Sequence, residues 1–302
     1  MTHSEMAEKR RVRKNSQLRM VWRRFKKSKT AMLGLCILGV FILFAVFANV
    51  IANWDEYVVR TNESARFLAP SLKGIFTKES HLFGTDEYGR DIFARIIHGA
   101  RVSLSIGIVS TSCAAVIGGM LGAIAGFYGK KTDFIIMSFM DIISSVPSIL
   151  LAMAVVAALG ASMTNLLIAL TFSSIATYAR LVRSTVVTLV GQEFIEAAKA
   201  CGSSDLRIIV KHILPNSLSP IICQMAFSSA GMILTAASMS YLGLGIQPPN
   251  PEWGAMLAGA KTYMWTYPYM ITIPGICIVL AALSITLIGD GLRDALDPKL
   301  KD

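Results

Sequence analysis

The chain has 302 residues, 54% of them apolar and only 16% charged, with a mean hydropathy of +0.56. That balance excludes an ordinary soluble globule, which must cover its apolar interior with polar surface. The net charge of +10 would suit a nucleic acid, but residues 1–30 alone hold 11 Lys/Arg against two Glu, so the excess reports membrane topology and no nucleic acid is expected.

Within that basic stretch, residues 17–30 (QLRMVWRRFKKSKT) read as an amphipathic surface helix. Trp22 and Phe25 fall at the interface, with Arg23, Arg24, Lys26 and Lys27 near anionic lipid headgroups. Six apolar runs follow, each near the roughly 20 residues that cross a bilayer: 31–52, 102–127, 134–159, 164–183, 217–243 and 269–289. No small-residue cleavage site follows the first, which makes it a signal anchor. Basic residues beside it hold that end in the cytoplasm, so six spans place both termini inside. Residues 128–133 and 184–216 then also face the cytoplasm, with Lys130, Lys131, Lys199, Arg207 and Lys211 in agreement.

Residues 53–101 form a long external segment whose seven basic and seven acidic residues balance. It ends in His81-Leu-Phe-Gly-Thr-Asp-Glu-Tyr-Gly-Arg-Asp91. Gly84 and Gly89 punctuate a turn, and Thr85 or Asp86 can cap a short helix. His81, Asp86 and Asp91 invite a metal or acid–base reading. Pairing of the acids with Arg90, Arg95 and Arg101, holding the segment against the membrane, is the stronger one.

The second span is rich in Gly, Ala and Ser, which permits close helix packing or a pore lining. Asp141 stands about two turns into the third span. An acid there faces protein or water, and a buried pair with Arg180 or Arg183 is favoured over a proton carrier. Pro147 is expected to kink this span, with Ser144 and Ser145 serving the freed carbonyls.

The polar island at 193–215 reads as two short helices around a break. Phe194, Ala197, Ala198 and Cys201 share one face, and Gly202 ends the first helix. Ser203 or Ser204 caps the second, whose apolar stripe is Leu206, Ile209, Val210 and Ile213 until Pro215 stops it. So short a polar segment with an apolar stripe needs a cover, as a docking element would.

Pro220 opens the fifth span and 241–245 closes it. The proline-rich stretch 247–254 reads as a rigid external turn. Trp253, Tyr263, Trp265, Tyr267 and Tyr269 fit an aromatic belt, and Pro274-Gly275 lies near the external end of the sixth span. The five cysteines all lie in spans or in the 184–216 loop, so no disulfide framework or metal site is implied. There is no GxxxxGK[ST] phosphate loop and no catalytic constellation; the four His are scattered.

Glu196-Ala197-Ala198, Gly202 and Leu214-Pro215 resemble the "EAA" loop of permease subunits of ABC-type importers. Residues Phe83, Gly84, Thr85, Asp86, Gly89, Arg90 and Asp91 resemble a signature of that family's dipeptide/oligopeptide/nickel branch. So does the tail 289–300. In one departure, the family's aliphatic position two before Leu-Pro falls on His212, with Ile213 beside it, which implies a local shift in the second helix.

The resemblance runs from about Trp22 to Lys301. It implies an all-α polytopic protein of about six transmembrane helices, like a type I ABC importer permease, in a bacterial plasma (inner) membrane. The division is a cytoplasmic segment 1–30, a first span and external segment 31–101, a permease core 102–290 with the coupling loop at 191–216, and a cytoplasmic tail 291–302. The implied partners are a homologous second permease, two ABC ATPase subunits that bind ATP and Mg, and an extracytoplasmic substrate-binding protein. The chain itself would be no enzyme and carry no cofactor, and the implied cargo is a di- or oligopeptide. A nickel or metal-chelate importer is the alternative, and an ion-coupled secondary transporter using Asp141 is a more distant one; no inverted repeat of the kind many carriers show supports it.

Overall fold

A computed structural model describes residues 19–71 and 81–296. The first 18 residues of the basic segment and the end of the tail, including Lys301, lie outside the described residues. Among those described the chain is built from helices, five of them long and apolar enough to cross a membrane, or up to six if a bent pair counts as one span.

A short helix at 19–25 carries Phe25, which seats against Ala31 and Ala295. Helix α1 (Lys29–Ile51) starts where the Ser28 hydroxyl accepts from the Ala31 amide, 3.3 Å away. A one-turn π-helix (Trp54–Val59) and a 3₁₀ turn (Glu63–Ala65) punctuate the connection to α2.

Helix α2 (Ile92–Tyr128) is 37 residues long. It begins ten residues before the apolar run at 102, because Asp91 caps it by accepting from the Ala94 amide at 2.8 Å. Neither Thr85 nor Asp86 is the cap. The third apolar run is two helices, α3 (Lys130–Ser144) and α4 (Ser148–Leu159), bent by 83° at the Ser145–Pro147 break. That exceeds the kink expected from Pro147, since the chain leaves helical geometry altogether at a residue with no amide hydrogen.

Helix α5 (Met163–Val190) continues seven residues past the apolar run ending at 183. It forms with α2 the most extensive helix pair of the bundle. Glycines make that approach possible: a Cβ at Gly118 or Gly122 would fall on the carbonyl oxygen of Ile175 or Ala179. A loop containing α6 (Glu193–Ala200) and α7 (Asp205–Ile208) leads to α8 (Leu214–Tyr241). Pro220 lies inside α8 and does not open it.

The proline-rich turn after α8 ends in a helix that the sequence pattern missed, α9 (Trp253–Ala260). Its N-cap is the buried Glu252, whose carboxylate accepts from the Gly254 and Ala255 amides at 2.9 and 2.8 Å. Fully buried Trp253 packs at a tilt against Phe41 and donates from Nε1 to the Ile96 carbonyl at 3.1 Å. Helix α10 (Tyr269–Leu296) then packs on α1 and α8.

Candidate functional site

In the α5–α8 loop, α6 carries Glu193 and Glu196 in its first turn, where the exposed amides favour negative charge. Its end is a Schellman motif: the Ser203 amide donates to the Ala198 carbonyl at 3.1 Å and the Gly202 amide to Lys199 at 2.9 Å. This requires the left-handed backbone seen at Gly202, φ +74°.

The second arm differs from the sequence expectation. Pro215 does not stop a helix. A π-helical turn at Ile209–Ile213 leads straight into α8, with Pro215 in its first turn. The wider turn seats a residue that cannot donate an amide hydrogen to an α-helical ladder. It also lies where His212 departs from the family pattern.

The same turn changes which residues are covered. Ile195, Ile208 and Ile213 are fully buried against Val182, Val186 and Ala123. Leu206 and Val210, expected in the covered stripe, are 72% and 52% exposed, and Phe194, whose ring lies near that of His212, is exposed as well. Glu196 and Ala197 are also exposed, whereas Ala198 is half-buried. The loop therefore grips the bundle with one set of aliphatics and presents another outward.

At the opposite end of α2 the 81–91 motif forms a clasp. Asp86 accepts from the Tyr88 and Arg90 amides, each at 2.9 Å, and from Arg90 Nε at 2.7 Å, with Arg95 Nε 3.6 Å away. Asp91 both caps α2 and lies 2.7 Å from His81 Nδ1, a pairing the sequence did not suggest. Arg101 is not part of this network; it donates to the Ala45 carbonyl at 3.0 Å. The Thr85 hydroxyl accepts from the Leu68 amide and donates to the Ala65 carbonyl. Gly84 and Gly89 have φ of +77° and +73°, and Phe83 packs edge-on against Phe93. Tyr269 of α10 donates to the Leu68 and Thr85 carbonyls, at 3.0 and 3.1 Å. Burial, and next the neighbouring Asp86, raise the Glu87 carboxyl above its ordinary pKa.

Two ion pairs join α3 to α5. Arg180 Nη1 lies 3.1 Å from Asp141 Oδ1, and its Nη2 donates to Ser144 Oγ at 2.6 Å. This pair is not buried as expected: the side chains are 44% and 70% exposed. Arg183 is not Asp141's partner. It binds Asp133 through both carboxylate oxygens, at 2.5 and 2.6 Å; Asp133 stands next to the apolar run, where sequence alone gave no partner for it. No three His, Cys, Asp or Glu among the described residues are grouped to hold a metal ion.

Residues 118–302 match the model of the family described as binding-protein-dependent transport system inner membrane component. Residues 16–70 match that of the N-terminal transmembrane domain of oligopeptide transport permease C. A dipeptide transport system permease protein of Alkalihalophilus pseudofirmus is 46% identical over 95% of this chain and 91% of its own. A glutathione transport system permease protein of Pectobacterium atrosepticum is 42% identical over 94% and 91%. Among solved structures, an inward-facing form of the MetNI methionine ABC transporter shares the fold, with a TM-score of 0.55 and 19% identity over 67% of this chain and 97% of that one.

Proposed function

This chain belongs to the family of binding-protein-dependent transport system inner membrane components, and from that premise we propose that it is the permease subunit through which an ATP-driven importer passes small peptides. The relatives named above carry dipeptide or glutathione, both peptidic, and this supports peptide cargo over nickel or a metal chelate. Working as one half of a permease pair, the chain receives cargo from an extracytoplasmic binding protein at the clasp end. Two ATPase subunits, which bind ATP and Mg, dock on the α5–α8 loop, and both termini lie in the cytoplasm.

The observation that carries this reading is the two-sided loop. Ile195, Ile208 and Ile213 fasten it to α2 and α5, while Phe194, Leu206 and Val210 stand exposed. A push on the outer face is transmitted to α5 and α8 as rigid bodies, because close-packed cores shift between packings and do not deform continuously.

The test is reconstitution. The complete complex in proteoliposomes, given binding protein and a labelled dipeptide, should accumulate it only with ATP. The isolated subunit should neither bind nor hydrolyse nucleotide. Saturable ATP binding by this chain alone, or labelling of Ser203→Cys from outside intact cells, would overturn the assignment.

A further inference from the structure

We propose that Asp141 and Arg180 form an exchangeable charge pair on the wall of the translocation path, opening to take the ammonium and carboxylate ends of a zwitterionic peptide. This deepens the permease reading and rests on it. Arg180 lies 17 residues along α5 from Met163, about 26 Å at the helical rise and so within roughly 30 Å of hydrocarbon. Counted from the external end, this sets Arg180 near the cytoplasmic edge of the span, where an exposed charged pair faces water, lipid headgroups or protein and not acyl chains.

The surroundings favour water. Ser173, Thr177 and Ser184 share Arg180's face of α5 at helical spacing. Ser144 and Ser145 stand at the α3–α4 break beside Asp141, both exposed.

The neighbouring pair supplies an internal contrast. Arg183 and Asp133 are joined by two short hydrogen bonds, and Asp133 is only 20% exposed. Bidentate geometry of that kind holds two helices. Asp141 and Arg180 are joined by one hydrogen bond, with Arg180's other contact a neutral serine. A peptide carboxylate can replace Asp141 on the guanidinium while the peptide ammonium takes Asp141. Each charge then keeps a partner, and the empty path holds no unpaired charge.

The experiment uses the complete complex in proteoliposomes with binding protein and radiolabelled Ala-Ala; ATP-dependent uptake by the unaltered complex tests the permease reading separately. Arg180→Gln should lower the kcat of uptake at least tenfold, with normal assembly and with ATPase stimulation by loaded binding protein retained. Arg183→Gln should instead lower the yield of assembled complex. In a cysteine-free background, Thr177→Cys should react with a water-soluble thiol reagent and be protected by Ala-Ala, whereas Leu43→Cys on α1 should not react. Unchanged uptake in Arg180→Gln, or an assembly loss matching that of Arg183→Gln, would overturn the proposal. So would an unreactive Thr177→Cys, which would mean that the face is sealed against the second permease.

Discussion

Leu206 and Ile208 sit two residues apart in one short helix, yet truncating them should have opposite consequences. Ile208 is fully buried and Leu206 is 72% exposed. Ile208→Ala removes packing against the α2–α5 pair and should cost about 2–5 kcal/mol, the usual range for a buried aliphatic cut to Ala. That loss falls on the seating of the loop, so the purified subunit should become more sensitive to proteolysis between 191 and 216. Leu206→Ala should alter the subunit's own stability by no more than about 0.5 kcal/mol, as surface changes do. If Leu206 is covered by an ATPase, its loss forfeits burial worth about 1.5–3 kcal/mol, roughly tenfold to over a hundredfold in dissociation constant. The assay is titration of purified ATPase subunit onto the detergent-solubilised permease pair, beside limited proteolysis of this chain. Wild-type ATPase affinity in Leu206→Ala, or a proteolytic change in Leu206→Ala equal to that in Ile208→Ala, would refute the two-sided loop.

Gly202→Val should leave the spans intact, since no atom lies within 4 Å of a Cβ there. The left-handed backbone should still cost about 1–2 kcal/mol and reshape the turn, seen as weakened ATPase co-purification; Gly191→Ala, also in open space but at φ −85°, should be mild. Gly122→Val drives a side chain onto the Ala179 backbone, an overpacking of about 1–3 kcal/mol or more, and membrane yield of the folded subunit should fall sharply. For Glu87, whose folded pKa is raised, ionisation opposes folding: the penalty is full above the folded pKa and vanishes below the ordinary value of 4.5. Glu87→Gln should therefore raise the thermal midpoint of the solubilised subunit at pH 7, and the gain should fade as pH is lowered through the folded pKa and be gone below 4.5.

The amino-acid sequence by itself determined the class of this protein. Apolar runs of bilayer length and a basic segment before the first of them are composition effects, and they need no tertiary contact to be read. Gly202 was equally legible, because a helix C-cap is local chemistry and the Ala198–Ser203 hydrogen bonds close within six residues. What periodicity could not supply was the face each side chain takes once the backbone leaves ideal geometry. A stripe counted at 3.6 residues per turn put Ile209 and Ile213 inside, as the structure has them, but it also put Leu206 and Val210 inside, where the structure exposes both and buries Ile208, in a segment that passes into the π-helical turn at Ile209–Ile213. The 83° break at 145–147 and the continuation through Pro215 are likewise settled by packing against α2 and α5, not by proline alone. Partners distant in sequence were tertiary decisions as well. Asp141 could have met Arg180 or Arg183, and only the register of α3 on α5 gives Arg180 to Asp141 and Arg183 to Asp133. Charges find partners by proximity in space, and a linear pattern carries proximity only within a turn or two of helix.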